Sequence, residues 1–163
     1  MRGCLLMEWV KTINNAIEYM ENHLTDDITL SDIAESVYIS AFHFQRAFSM
    51  MAGISPAEYL RNRRLSQAGA ELANGNERVI DIAMKYGYES SESFTKAFSR
   101  FHGFSPMQVR KGSPLKYMNR YTIRITIDGG SIMEYKIEKW EAMDLLVHVK
   151  NFHAETSEEV YFS

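Results

Sequence analysis

The chain has 163 residues, a formal net charge of −3 and a single cysteine, Cys4. That length allows one domain or one and a half, and an apolar content of 45% is ample for a core, so global disorder is excluded. One cysteine excludes a disulfide framework and argues against a thiolate metal site, which fits a reducing cytoplasm.

Met1–Met7 carries one Arg and a short apolar run with no cleavage site, so it is an N-terminal extension and not a signal peptide, and Met7 is a candidate start. No stretch reaches the length of a membrane span. From Glu8 to Asn22, the residues Trp9, Val10, Ile13, Ala16, Ile17 and Met20 recur at helical spacing and predict a packing helix. Trp9 reads as a core aromatic and His23 as a surface histidine.

Thr29 with Asp32 three residues on resembles a capping box. The helix behind it turns Leu30, Ile33, Ala34 and Val37 inward; Tyr38 and Ile39 make a turn, and Ser40 caps a second helix. At about 100° per residue, Phe44, Ala47, Phe48 and Met51 form the buried stripe of that helix. Phe42, Gln45, Arg46 and Ser49 fall on the opposite side. An amide, a guanidinium and an aromatic ring on one outer face suit the DNA major groove. Arg pairs with guanine O6 and N7, Gln with adenine N6 and N7, and Phe packs on a thymine methyl. The alternative is a solvated face that happens to carry these residues.

Ser55-Pro56-Ala57-Glu58 is a helix start. Tyr59, Leu60, Leu65, Ala68 and Leu72 give that helix an inner face, and Gly75 stops it. Its position makes it a long linker helix, with Arg61, Arg63 and Arg64 either at phosphates or solvated.

The pattern then repeats. Phe44-Gln-Arg-Ala-Phe48 becomes Phe94-Thr-Lys-Ala-Phe98 fifty residues on, and Gly53-Ile-Ser-Pro56 becomes Gly103-Phe-Ser-Pro106. Asp32-Ile-Ala34 becomes Asp81-Ile-Ala83 at an offset of forty-nine, so one residue is gained inside the second unit. Two copies without a third make a tandem module, not a solenoid. In the second copy Ile80, Ile82, Ala83 and Tyr86 make the first helix, Gly87 supplies a left-handed turn residue, and Ser90 or Ser91 caps the next. Glu92, Thr95, Lys96 and Ser99 face outward there, with Ser91 at the leading edge. Lys96 suits guanine or a phosphate, Thr95 a thymine methyl and Glu92 a cytosine N4. Ser105-Pro106-Met-Gln108 starts a last helix that carries Arg110 and Lys111. Each unit is a helix-turn-helix pattern, whose second helix enters the major groove.

The negative net charge is unevenly spread. Acids crowd Glu8–Glu35 and Glu71–Glu92, whereas Phe94–Ile127 holds seven Lys and Arg and no acid. Distribution rather than the sum decides where a polyanion is met.

With its duplicated D-I-A, its F-x-R/K-A-F cores, two G-[IF]-S-P boundaries, Tyr59-Leu-Arg61, Ile82–Tyr88 and Pro106-x-x-x-Arg110, the span 8–111 resembles the DNA-binding domain of AraC/XylS-type transcription regulators, in the style of the MarA, SoxS and Rob group. The resemblance implies a mainly α fold with tandem helix-turn-helix units. It implies a bacterial regulator, an activator in contact with RNA polymerase, that binds double-stranded DNA as a monomer and reads two successive major grooves. Base readers are then Phe42, Gln45, Arg46, Ser91, Glu92, Thr95 and Lys96. Phosphate contacts fall to Ser40, Ser49, Arg61, Ser90, Arg100, Arg110 and Lys111. Close relatives carry amides around Ser91 and Glu92, so the second helix serves more as an anchor than a reader.

Beyond Lys111, residues 112–120 read as a linker broken by Gly112-Ser-Pro114. Residues 121–163 read as a short β-rich fragment, with strands at Tyr121–Ile127, Met133–Lys139 and Asp144–Val149. Met133–Ala142 is similar to the opening of a GyrI-like effector-binding domain, which implies a small-molecule effector only in a longer form. The chain therefore reads as a truncated chain, a gene fragment or a natural short form. No cofactor, metal site or catalytic constellation is expected. His148 and His153 sit five apart without partners, and the best-placed serines have capping roles. The competing reading is a ligand-sensing or protein-interaction module that acts through the C-terminal segment.

Overall fold

A computed structural model describes residues 2–124, and of residues 2–6 the backbone alone. Seven helices follow one another among these residues: α1 (Arg2–Asn22), α2 (Leu30–Ser36), α3 (Ala41–Ala52), α4 (Pro56–Asn74), α5 (Val79–Lys85), α6 (Ser91–His102) and α7 (Pro106–Arg110). The first begins at Arg2 rather than Glu8. The expected strands at Met133–Lys139 and Asp144–Val149, the GyrI-like segment, His148 and His153 all lie outside the described residues.

Local chemistry sets the helix ends. Thr29 and Asp32 form the reciprocal capping box at α2, and Ser40, Ser55, Ser90 and Ser105 each accept from the backbone N–H three residues on. Gly53 and Gly103 close α3 and α6 in the left-handed region, where a β-carbon is strained. Gly75 closes α4 differently. Its backbone is extended, but a β-carbon there would lie 2.9 Å from the Glu71 carbonyl oxygen.

Two cores form. The first gathers Ile13, Ala16, Ile17 and Met20 of α1 with Ile33, Ala34, Phe44, Phe48, Tyr59 and Leu60. The second gathers Leu65, Ala68 and Leu72 with Ile82, Ala83, Tyr86, Phe94, Phe98 and Val109. The start of α4 thus belongs to one core and its remainder to the other, and Phe101 packs against both. Arg63 is neither at a surface for phosphates nor solvated, and the half-buried Arg64 is committed to backbone carbonyls. Arg63 is buried in a bidentate pair with Glu21, and Arg64 donates to the carbonyls of Leu24 and Asp26.

The expected strand over Tyr121–Ile127 is not present in its described part. Tyr121–Arg124 does alternate, with Tyr121 half-buried, Thr122 exposed, Ile123 buried and Arg124 exposed. Its backbone N–H groups are taken by side chains, however: Tyr121 donates to the Tyr59 hydroxyl and Ile123 to Asn14 Oδ1. An extended segment with one face buried leaves a period of two whether a strand or a groove between helices receives it.

His102 is buried between α4 and the chain at Lys116. Its Nε2–H donates to the Leu65 carbonyl at 3.0 Å, and its Nδ1 accepts the Lys116 N–H at 3.2 Å, which fixes the neutral tautomer. Burial lowers its pKa, and nearby Lys116 acts in the same direction. The unfolded chain therefore binds a proton near the ordinary value of about 6.5 while the folded chain stays neutral. Folding stability is full above that value and falls as pH drops below it. Denaturant unfolding between mildly basic and mildly acidic pH should register this loss, and His102→Gln should flatten it.

Candidate nucleic-acid interface

The two helix-turn-helix units share one turn geometry. In the first, Tyr38 has a φ of 59° and Ile39 N–H returns to the Ala34 carbonyl at 3.1 Å. In the second, Gly87 has a φ of 81° and Tyr88 N–H returns to the Ala83 carbonyl at 2.9 Å. Ile39 is followed at once by the cap Ser40, whereas Tyr88 is separated from the cap Ser90 by Glu89. Glu89 is therefore the residue gained in the second unit.

Each turn delivers a twelve-residue amphipathic helix. On α3, Phe44 and Phe48 are fully buried, whereas Gln45 and Arg46 are exposed and Phe42 is 68% exposed. The Phe42 ring points outward and meets His43 edge-on, with ring centroids 5.6 Å apart. His43, which the sequence reading did not single out, sits 2.7 Å through Nδ1 from the Ser40 hydroxyl. Its signal was its place three residues after a cap. Ser49 is half-buried at the edge of this face.

On α6, Phe94 and Phe98 are fully buried, Ser91, Glu92, Lys96 and Arg100 are exposed, and Thr95 is half-buried. The side chains of Gln45, Arg46, Glu92 and Lys96 have no hydrogen bond or ion pair with another described residue. Their polar groups face solvent uncommitted, as a reading face requires. Ser40 and Ser90 are engaged as caps, Ser90 also with the Ser93 hydroxyl at 3.1 Å.

The remaining cations differ in freedom. Arg61 and Lys111 are exposed. Arg110 is half-buried, donates to the Glu77 carbonyl ahead of α5 and leaves its Nε without a partner. Its first role is to tie α7 to that loop.

This architecture has known counterparts. A family model described as a helix-turn-helix domain matches residues 33–112. The transcriptional activator AarP of Providencia stuartii is 39% identical over 98 residues, which cover 60% of this chain and 73% of AarP. The chain belongs to the AraC-type family of helix-turn-helix transcription regulators. The HTH-type transcriptional regulator YbfP of Bacillus subtilis is 36% identical over 134 residues, 82% of this chain. The chain spans only 43% of YbfP. The DNA-binding domain of AdpA, solved in complex with a target DNA, matches with 25% identity and a TM-score of 0.57, over 61% of this chain and 89% of that one. No helix among the described residues is long and apolar enough to cross a membrane.

Tyr38 is the costly residue of this AraC-type frame, being 95% exposed on a left-handed backbone that glycine occupies in the second unit. Tyr38→Gly should raise stability by about 0.5–1 kcal/mol, read as a higher denaturation midpoint with an unchanged slope.

Proposed function

We propose that this regulator binds double-stranded DNA sequence-specifically by placing α3 and α6 in successive major grooves on one face of the duplex, and that it acts as an activator. The observation that carries the reading is the repeated outward face, with donors at matching places on two helices and no internal partner for them. Arg46 reads guanine, Gln45 reads adenine and Phe42 packs on a thymine methyl. On α6, Lys96 and Thr95 contact bases or the adjacent phosphate, with Ser91 and Glu92 at the leading edge. Glu92 accepts from cytosine N4 and repels phosphates, which makes the second head the weaker reader.

Arg61, Arg100 and Lys111 neutralise phosphates. The capped N-termini at Ser40 and Ser90 and the edge residue Ser49 lie along the same backbone, and Arg110 acts there through its hold on the loop before α5. The helix α4 joins the two units and keeps the groove entries about 34 Å apart. The protein works in the cytoplasm as a monomer on DNA, contacts RNA polymerase and carries out no catalysis. Its serines at helix starts are spent on caps. Residues 8–111 are the DNA-binding domain, and an effector is sensed only in a longer form.

Selection of bound duplexes from a random DNA pool at near-physiological salt tests this. Enrichment of a bipartite site with halves about one helical turn apart is the expected result. One enriched half alone would leave α6 as an anchor, and no enrichment by folded protein would overturn the reading. On the selected site, Arg46→Ala should cost about 1–3 kcal/mol and relax specificity in one half. Lys111→Ala should weaken binding to all sequences and lower the salt slope by about one.

A further inference from the structure

Residues 115–123 lie as an extended strap across both cores. At one end Leu115 packs on the second core, and Lys116 N–H donates to His102 of α6. Midway, Met118 N–H donates to the buried Ser66 hydroxyl at 3.1 Å, and its carbonyl accepts from Arg63. At the far end Tyr121 N–H donates to the Tyr59 hydroxyl at 3.3 Å. There the Asn14 side chain of α1 also closes on both polar groups of Ile123. Its Nδ2 donates to the Ile123 carbonyl at 2.8 Å, and its Oδ1 accepts the Ile123 N–H at 2.9 Å. Met118 and Ile123 are buried in the first core.

The strap is thus held as a peptide is held in a receptor groove. Polar side chains of α1, α4 and α6 satisfy its backbone, and apolar pockets take its side chains. A segment anchored in the second core through Leu115 and in the first through Met118 and Ile123 opposes rotation of one unit against the other about α4.

We propose that residues 115–123 lock the two helix-turn-helix units in the orientation that lets both heads grip one DNA, with Asn14 as the clamp at the end where the chain continues toward Ser163. The lock rests on the two-headed reading above. When it is closed, the second head meets its half-site at a high effective concentration. When it is open, that concentration falls while each head keeps its own contacts. A pull or a binding event past Ile123 acts on Asn14 first, so DNA affinity is tied to the state of the following segment.

Two variants of the full chain test this. Asn14→Leu removes both hydrogen bonds to Ile123 with the same number of side-chain heavy atoms, and Tyr121→Pro removes a strap donor and the ring that packs on Tyr59 without altering any helix. Affinity is measured on the selected bipartite site, on that site with the second half scrambled, and on sites with the spacing changed by a base pair. Both variants should bind the scrambled site within about twofold of the parent and the full site about tenfold more weakly. Their spacing preference should flatten, and amide exchange at Ile123 should accelerate. Asn14→Asp, which keeps the acceptor for Ile123 N–H, should fall between. Variants that lose amide protection yet bind the full site and discriminate spacing like the parent would overturn the lock. So would equal losses on full and scrambled sites, which mark a merely structural strap. If the parent itself gains nothing from the second half, the two-headed reading has failed and takes the lock with it.

Discussion

The contact on which the rest depends is the ion pair between Glu21 on α1 and Arg63 on α4. It is bidentate, with Nη2–Oε2 at 2.6 Å and Nε–Oε1 at 2.8 Å, and its side chains are only 11% and 8% exposed. The Tyr59 hydroxyl donates to the same carboxylate at 2.7 Å, and the Met118 carbonyl takes another guanidinium proton. Burial, then the Glu21 carboxylate, pushes the Tyr59 phenol far above its usual range, so it stays a donor. Removing two charges from water costs several kcal/mol per ion, so such a pair adds little net stability over an apolar replacement. Its value is geometric. Every donor and acceptor in the knot must find its partner, and those partners come from α1, α4 and the strap. Misplacing any one of the three strands a buried charge.

The same economy governs the second core. Gly69 is buried on α4, where a β-carbon would come within 2.7 Å of His102 Cε1 and 2.9 Å of Leu115 Cδ2. Its missing side chain lets α6 and the strap approach α4 together. His102 then lies tilted against Phe98, with ring centroids 4.1 Å apart, while both its nitrogens are used. Around Gly69 the second core, α6 and the strap meet α4 with no room for a single added carbon. Small changes in the strap therefore reach both cores.

Much of the helical frame was legible because its signals are local. Serine caps, the left-handed Gly87, the Gly53 and Gly103 boundaries and the paired phenylalanines each act within a few residues of themselves, and the repeat doubled most of these signals. The outward placement of Gln45, Arg46 and Lys96 followed from the same helical period. What was misread depends on sequence-distant partners. Arg63 and Arg64 looked like free cations because nothing nearby in the chain predicts Glu21 or the Leu24 and Asp26 carbonyls. Tyr121–Arg124 looked like a strand because alternation reports one buried face and not what buries it. Asn14 carried no signal at all. An amide on the flank of an apolar stripe is ordinary until the chain returns to it from Ile123.

On the proposed two-headed reading, the heads are unequal in a way that makes their coupling matter. On α6, Glu92 stands in the first turn, where it favours the helix dipole but opposes phosphates, and Lys96 offers a point charge where α3 offers a planar fork. A net charge of −3 leaves only a modest general attraction to DNA to compensate, concentrated on the basic stretch from Lys96 to Arg124. A strong reader joined rigidly to a weak one gains from the weak head only if that head arrives in register. A flexible joint would scatter it over many orientations and lose most of the gain. If the second head is the weaker reader, as proposed above, the contacts of Arg63, Ser66, Tyr59, His102 and Asn14 with the strap have a purpose: a weak second head repays a stiff frame more than a strong one would.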